Sequence, residues 1–152
     1  MKHLLLLLMW SLPALAATSE QLLLKGSAPA VVSISVNALP IATTLPLDVS
    51  QNKTPVGSTT ESWNTQNGAK IFISSLNQGH LVHDNVTTSK IAYVLRYHNS
   101  DVNLATGELF VANQPGEHAR NRTLRVSYTG VPHASLFEGD YTDIVTFTIS
   151  AN

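Results

Sequence analysis

A period of two runs through this chain and limits what it can become. In VVSISVN, Val32, Ile34 and Val36 alternate with Ser33 and Ser35. AKIFISS repeats the alternation with Ile71 and Ile73, IAYVLRY with Ile91, Tyr93, Leu95 and Tyr97, and LRVSYTG with Leu124, Val126 and Tyr128. The closing GDYTDIVTFTISAN sets Tyr141, Val145, Phe147 and Ile149 on one side and Thr142, Ile144, Thr146 and Thr148 on the other. Side chains alternate across a strand, so each stretch reads as a half-buried strand, and the β-branched and aromatic content agrees. Almost nothing after the first residues has a helical repeat. Asn67-Gly68, Gln78-Gly79, Thr106-Gly107, Pro115-Gly116, Thr129-Gly130 and Glu138-Gly139 mark the reversals between strands. The expected fold is all-β: a single antiparallel, immunoglobulin-like β-sandwich of roughly eight short strands, open to being one strand short.

The first third is expected to be less regular. Pro29, Pro40, Pro46 and Pro55 cannot donate to a ladder, which predicts edges or loops there. Ser50 to Asn67 is the longest polar stretch and reads as a long loop around one short strand containing Trp63.

The chain opens MKHLLLLLMWSLPALA. Lys2 supplies a positive start, Leu4 to Trp10 an apolar run, and Ala14-Leu15-Ala16 a small-x-small site, together a secretory signal peptide cleaved after Ala16. That run is too short for a membrane span, and no later stretch is long enough. The expected division is a signal peptide at 1–16, an N-terminal extension at 17–30 and a β-sandwich at 31–152. The mature chain would then be exported, to the periplasm, the cell surface or beyond. Nine Lys and Arg against ten Asp and Glu leave no basic surface for nucleic acid or an anionic membrane. With no cysteine, an exported domain must hold itself together by packing and strand pairing alone.

Catalytic patterns are missing. There is no thiol, no G-x-S-x-G elbow, no phosphate-binding glycine loop and no H-E-x-x-H, so neither an enzyme nor a cofactor is expected. His80 and His83, with Asp84 beside them, come nearest to metal ligands, but a spacing of three points the two rings to opposite faces of a strand. Glu138, Asp140 and Asp143 lack the order of a calcium loop and read as a solvated turn. Arg120, Arg122 and Arg125 form a small basic cluster, read as a hairpin surface rather than an anion site.

The two ends carry the remaining signal. Near the start, Leu22, Leu24, Gly26 and Ala28 fall on one face of an extended segment, with Leu23, Lys25 and Ser27 on the other. At the end stands G-x-Y-x-D-x-V-x-F-x-I, from Gly139 to Ile149, and mid-chain N-G-x-x-I-x-I-S-S, from Asn67 to Ser75. With the leader, these features resemble the pilin-like subunits of chaperone–usher systems, especially the cysteine-free spore-coat-protein-U-like and class 5 fimbrial groups. The chain departs from many pilins at Ala151, where they carry Tyr.

The resemblance implies an incomplete immunoglobulin-like sandwich, filled first by a periplasmic chaperone and then by the N-terminal extension of a neighbouring subunit. It implies that Leu22, Leu24, Gly26 and Ala28 are the donated face. It also implies that Gly139, Tyr141, Val145, Phe147 and Ile149 line or border the acceptor groove and meet the chaperone. The sequence equally allows a self-complete, monomeric, non-enzymatic secreted binding module in which residues 20–28 pair with their own sheet. The two readings differ in where that segment lies.

Overall fold

The computed structural model describes residues 20–152; the proposed signal peptide and residues 17–19 of the extension lie outside them. The described chain is an antiparallel β-sandwich with two single-turn 3-10 segments and no α-helix. Its strands are β1 (Val32–Ala38), β2 (Gln51–Trp63), β3 (Ala69–Ser75), β4 (His80–His83), β5 (Lys90–Ala92), β6 (Val94–Tyr97), β7 (Ser100–Asp101), β8 (Glu108–Ala112), β9 (Glu117–Tyr128), β10 (Tyr141–Thr142) and β11 (Val145–Ala151). A five-stranded sheet runs β1-β2-β9-β6-β7, and two three-stranded sheets run β10-β4-β5 and β11-β3-β8. Trp63, Ile71, Ile73, Leu81, Ile91, Leu95, Leu124 and Val126 form the buried centre between them.

β2 corrects the reading of residues 50–67 as a long loop around one short strand at Trp63. It is a thirteen-residue strand between β1 and β9, near the middle of the large sheet. Its inward positions are Gly57, Thr59, Glu61 and Trp63, all buried, so polar residues stand where an apolar alternation would have revealed a strand. Pro55 is tolerated because the register against β9 shifts between Pro55 and Gly57, a bulge that absorbs the missing donor. At Gly57 a Cβ would meet the Asn37 carbonyl oxygen at 2.6 Å, so the close approach of β1 depends on glycine there.

Two strands read as continuous in the sequence change sheets midway. The stretch 91–97 divides at Tyr93 into β5, paired with β4, and β6, paired with β9. The closing strand divides at Asp143 and Ile144 into β10, paired with β4, and β11, paired with β3. The two crossover points are bonded to each other: the Tyr93 hydroxyl donates to Asp143 Oδ2 at 2.7 Å. Asp143 also accepts from Ser75 Oγ at 2.6 Å, Asn77 N at 2.9 Å and Ile144 N at 2.7 Å. Far from being a solvated turn residue, this carboxylate ties three chain segments together: residues 75–77, Tyr93 and its own.

Asp143→Ala should therefore lower unfolding stability by roughly 2–3 kcal/mol, because the tyrosine hydroxyl and a turn N–H lose a charged acceptor together. Urea unfolding of the purified chain checks it. A change below about 0.5 kcal/mol would mean that water replaces the carboxylate without loss.

Candidate functional site

A sandwich of open sheets has edges, and here two of them lie side by side without pairing. β1 ends the five-stranded sheet and β11 ends one of the small sheets. They come within 8 Å of each other between Cα atoms, yet neither pairs with the other. Along β1 the inward side chains lose cover progressively: Val32 and Ile34 are half-buried, whereas Val36 is 48% exposed. On β11, Val145, Phe147 and Ile149 all point inward and pack on the core, but none is fully buried, while Thr146 and Thr148 face out.

Between these strands lies an apolar groove of about 290 Å³. Val36 and Ala38 form one wall and Val145 and Phe147 the other, with Leu95, Leu124 and Val126 in the floor. The floor is the hydrophobic core itself, reached from outside. An open groove that exposes core residues beside unpaired strand edges is a surface that invites pairing with another chain.

The N-terminal segment does not fill it. Residues 20–31 form no strand and are exposed throughout. Leu22 and Leu24 are each 83% exposed and Leu23 85%. A Cβ at Gly26 would find nothing within 4 Å, and Ala28 is likewise exposed. The segment leaves the domain under a clamp from Asn64. The Asn64 side chain donates to Pro29 O at 2.9 Å and accepts from Val31 N at 2.7 Å, and its backbone N–H donates to Val31 O at 3.1 Å. To enter its own groove the chain would have to reverse within Pro29–Val31 and break these bonds.

The remaining residues singled out from the sequence are placed differently. Tyr141 pairs with His83 on β4 and lies past the end of the groove, in an adjoining hollow that shares Ala42, Leu45 and Asp143 with it. Its hydroxyl bonds Ser89 Oγ at 2.7 Å and accepts from Phe137 N at 3.1 Å. Gly139, at φ +140°, packs against the His83 ring, where a Cβ would lie 2.6 Å from Nε2. His83 is buried with both nitrogens engaged: Nδ1 accepts from Asn85 N and Val86 N at 3.0 Å, so Nε2–H donates to Glu138 O at 2.9 Å. His80 Nδ1 lies 3.2 Å from Asn77 O, and Asp84 Oδ1 accepts from Thr142 Oγ1 at 3.3 Å. Among the described residues no three His, Cys, Asp or Glu side chains gather as a metal site.

Near the other side of the sandwich sits a buried charge that the sequence did not reveal. Glu61, fully buried, accepts Arg120 Nε at 3.0 Å and Nη2 at 2.6 Å on Oε2, and the Thr59 and Tyr97 hydroxyls on Oε1. Arg120 also stacks over Trp63, 4.4 Å from its ring centroid. Arg120 is thus an inward-facing partner in an ion pair, not part of a hairpin surface. Its signal was the spacing of Glu61 two residues before Trp63, which places the carboxylate on the tryptophan's buried face.

Burial raises the Tyr97 and Tyr93 hydroxyls above the ordinary tyrosine value, with the bonds to Glu61 and Asp143 adding to the shift. Both hydroxyls must stay protonated to donate. The unfolded chain loses these protons near pH 10. A raised folded value means stability is intact below that pH and falls as pH climbs through and above it. The thermal midpoint is expected to be flat across neutral pH in respect of these groups and to drop above about pH 10. Tyr97→Phe should flatten part of that alkaline limb.

No protein-family model matches the sequence, and no curated protein matches it.

Proposed function

We propose that this chain is an exported structural or adhesive subunit of the pilin-like kind, which assembles by donating residues 22–28 as a strand into the groove of a second copy. The observation that carries the reading is the complementarity of two parts of one chain. The same chain carries an exposed Leu-rich segment and a groove with apolar walls. Leu22–Ala28 is as long as β11, seven residues or ~23 Å of extended chain.

Strand addition supplies backbone hydrogen bonds to an exposed edge, and every second side chain enters the groove, which fixes register. Leu22, Leu24, Gly26 and Ala28 are the face that would enter. The Asn64 clamp favours another copy as the acceptor, because a donor from outside needs no reversal at Pro29. In the period before assembly the same edge needs cover, the role a periplasmic chaperone has in the chaperone–usher systems that the sequence resembles.

A synthetic peptide of residues 20–30, added in excess to the full mature chain, tests this. Binding to the folded form raises the thermal midpoint by mass action, by about 2.7 kcal/mol of stability at a hundredfold excess over Kd. It should also shorten any oligomers present. A peptide with Leu22 and Leu24 replaced by Ser should do neither. Equal effects of the two peptides, or none from either, would remove the basis for strand donation.

A further inference from the structure

The opposite side of the sandwich carries a second opening, of different chemistry. Between β8 and the β6–β7 end of the large sheet lies a cleft of about 150 Å³. Arg122 and Arg120 line it from β9, Phe110 from β8, and Tyr97, Asn99 and Ser100 from the β6–β7 hairpin. Arg122 shares the inward face with Arg120 and Leu124 and is half-buried. The neighbouring charges are mostly spoken for: Arg120 pairs with Glu61 at 2.6 Å and Arg96 with Asp101 at 3.0 Å. Among the described residues no carboxylate lies within 4.0 Å of Arg122.

Arg122 is a half-buried guanidinium with no carboxylate beside it, and it lines this cleft. Its surroundings are held in place. Glu61 fixes Arg120 and the Tyr97 hydroxyl, and the Tyr97 and Phe110 rings pack with centroids 4.9 Å apart. The exposed hairpin residues Asn99 and Ser100 add an amide and a hydroxyl at the rim. A cation with no carboxylate beside it, an aromatic wall and neutral polar groups match a compact ring that bears a carboxylate and hydroxyls.

We propose that this cleft binds an acidic monosaccharide unit, with its carboxylate on Arg122 and its hydroxyls at Asn99 and Ser100. The inference does not depend on how the chain assembles. Titration calorimetry of the full chain with glucuronate should give saturable binding, and glucose should give none. Arg122→Gln should weaken glucuronate by about tenfold or more, and Arg122→Lys, which keeps the charge but loses the planar fork, should also weaken it. Lys90→Gln on β5, outside the cleft, should leave it unchanged. Because Arg122 makes no ion pair, its replacement leaves no buried carboxylate unpaired, and an unaltered thermal midpoint would confirm that the variant is folded. The assignment is overturned by no saturable heat with glucuronate, by equal affinity of Arg122→Gln, or by N-acetylglycine or sulfate binding as tightly as glucuronate.

Discussion

Leu24→Asp is expected to abolish assembly of the chain while leaving the folded domain as stable as before. On its own domain Leu24 is 83% exposed, so the change removes little packing there, and its cost should stay within about 0.5 kcal/mol. In a neighbour's groove the same residue would sit among Val36, Val145 and Phe147. There the substitution loses roughly 1.5–3 kcal/mol of leucine burial and adds the desolvation of an unpaired carboxylate. Together these reach several kcal/mol, and each 1.4 kcal/mol is a factor of about ten in association. Assembly is read by light scattering after gel filtration, and stability by thermal melting of the monomeric fraction. A monomer destabilised by several kcal/mol would instead mean that residues 20–28 pack on their own sheet.

The largest effect on the domain itself is expected at Glu61. Glu61→Ala should cost about 3–5 kcal/mol, enough to unfold a marginal domain, because it strands Arg120 with its side chain 16% exposed and takes the acceptor from two hydroxyls. The fall should show as a lower urea midpoint with an unchanged slope. Replacing both Glu61 and Arg120 by apolar residues of similar size should cost far less, since a buried pair removed whole leaves no orphan charge. If Glu61→Ala costs under about 1 kcal/mol, the ion pair is not the anchor of this end of the sandwich.

The sequence exposes some parts of this molecule and hides others for definite reasons. Where inward positions are apolar, as at Ile71 and Ile73 or Leu124 and Val126, period two shows both the strand and its buried face. β2 escaped because Thr59 and Glu61 fill inward positions: Thr59 donates to Glu61, and Glu61 is itself satisfied by partners more than thirty residues away, Tyr97 and Arg120. The sheet changes at Tyr93 and Asp143 leave no trace in the alternation, because the inward face continues unbroken through each of them. Tyr141 and Val145 therefore look like one strand in sequence while pairing with β4 and β3 respectively. The groove could only be guessed from the chain ends. Whether an edge is free depends on which strands neighbour it, and that is a property of topology rather than of local pattern.

If copies of this chain are joined by donated strands, the mass distribution of the protein taken from the cells that make it will show it. Light scattering after gel filtration would be run beside an unheated SDS gel. The chain has no cysteine, so no ladder can come from disulfides between copies. A strand paired along the edge of a groove, with its side chains seated in it, gives a join whose lifetime, rather than its equilibrium, resists detergent. Strand donation predicts a ladder of multiples that collapses to one band on boiling. A single monomer by both methods, no heavier than the 16.4 kDa of the full chain, would rule it out.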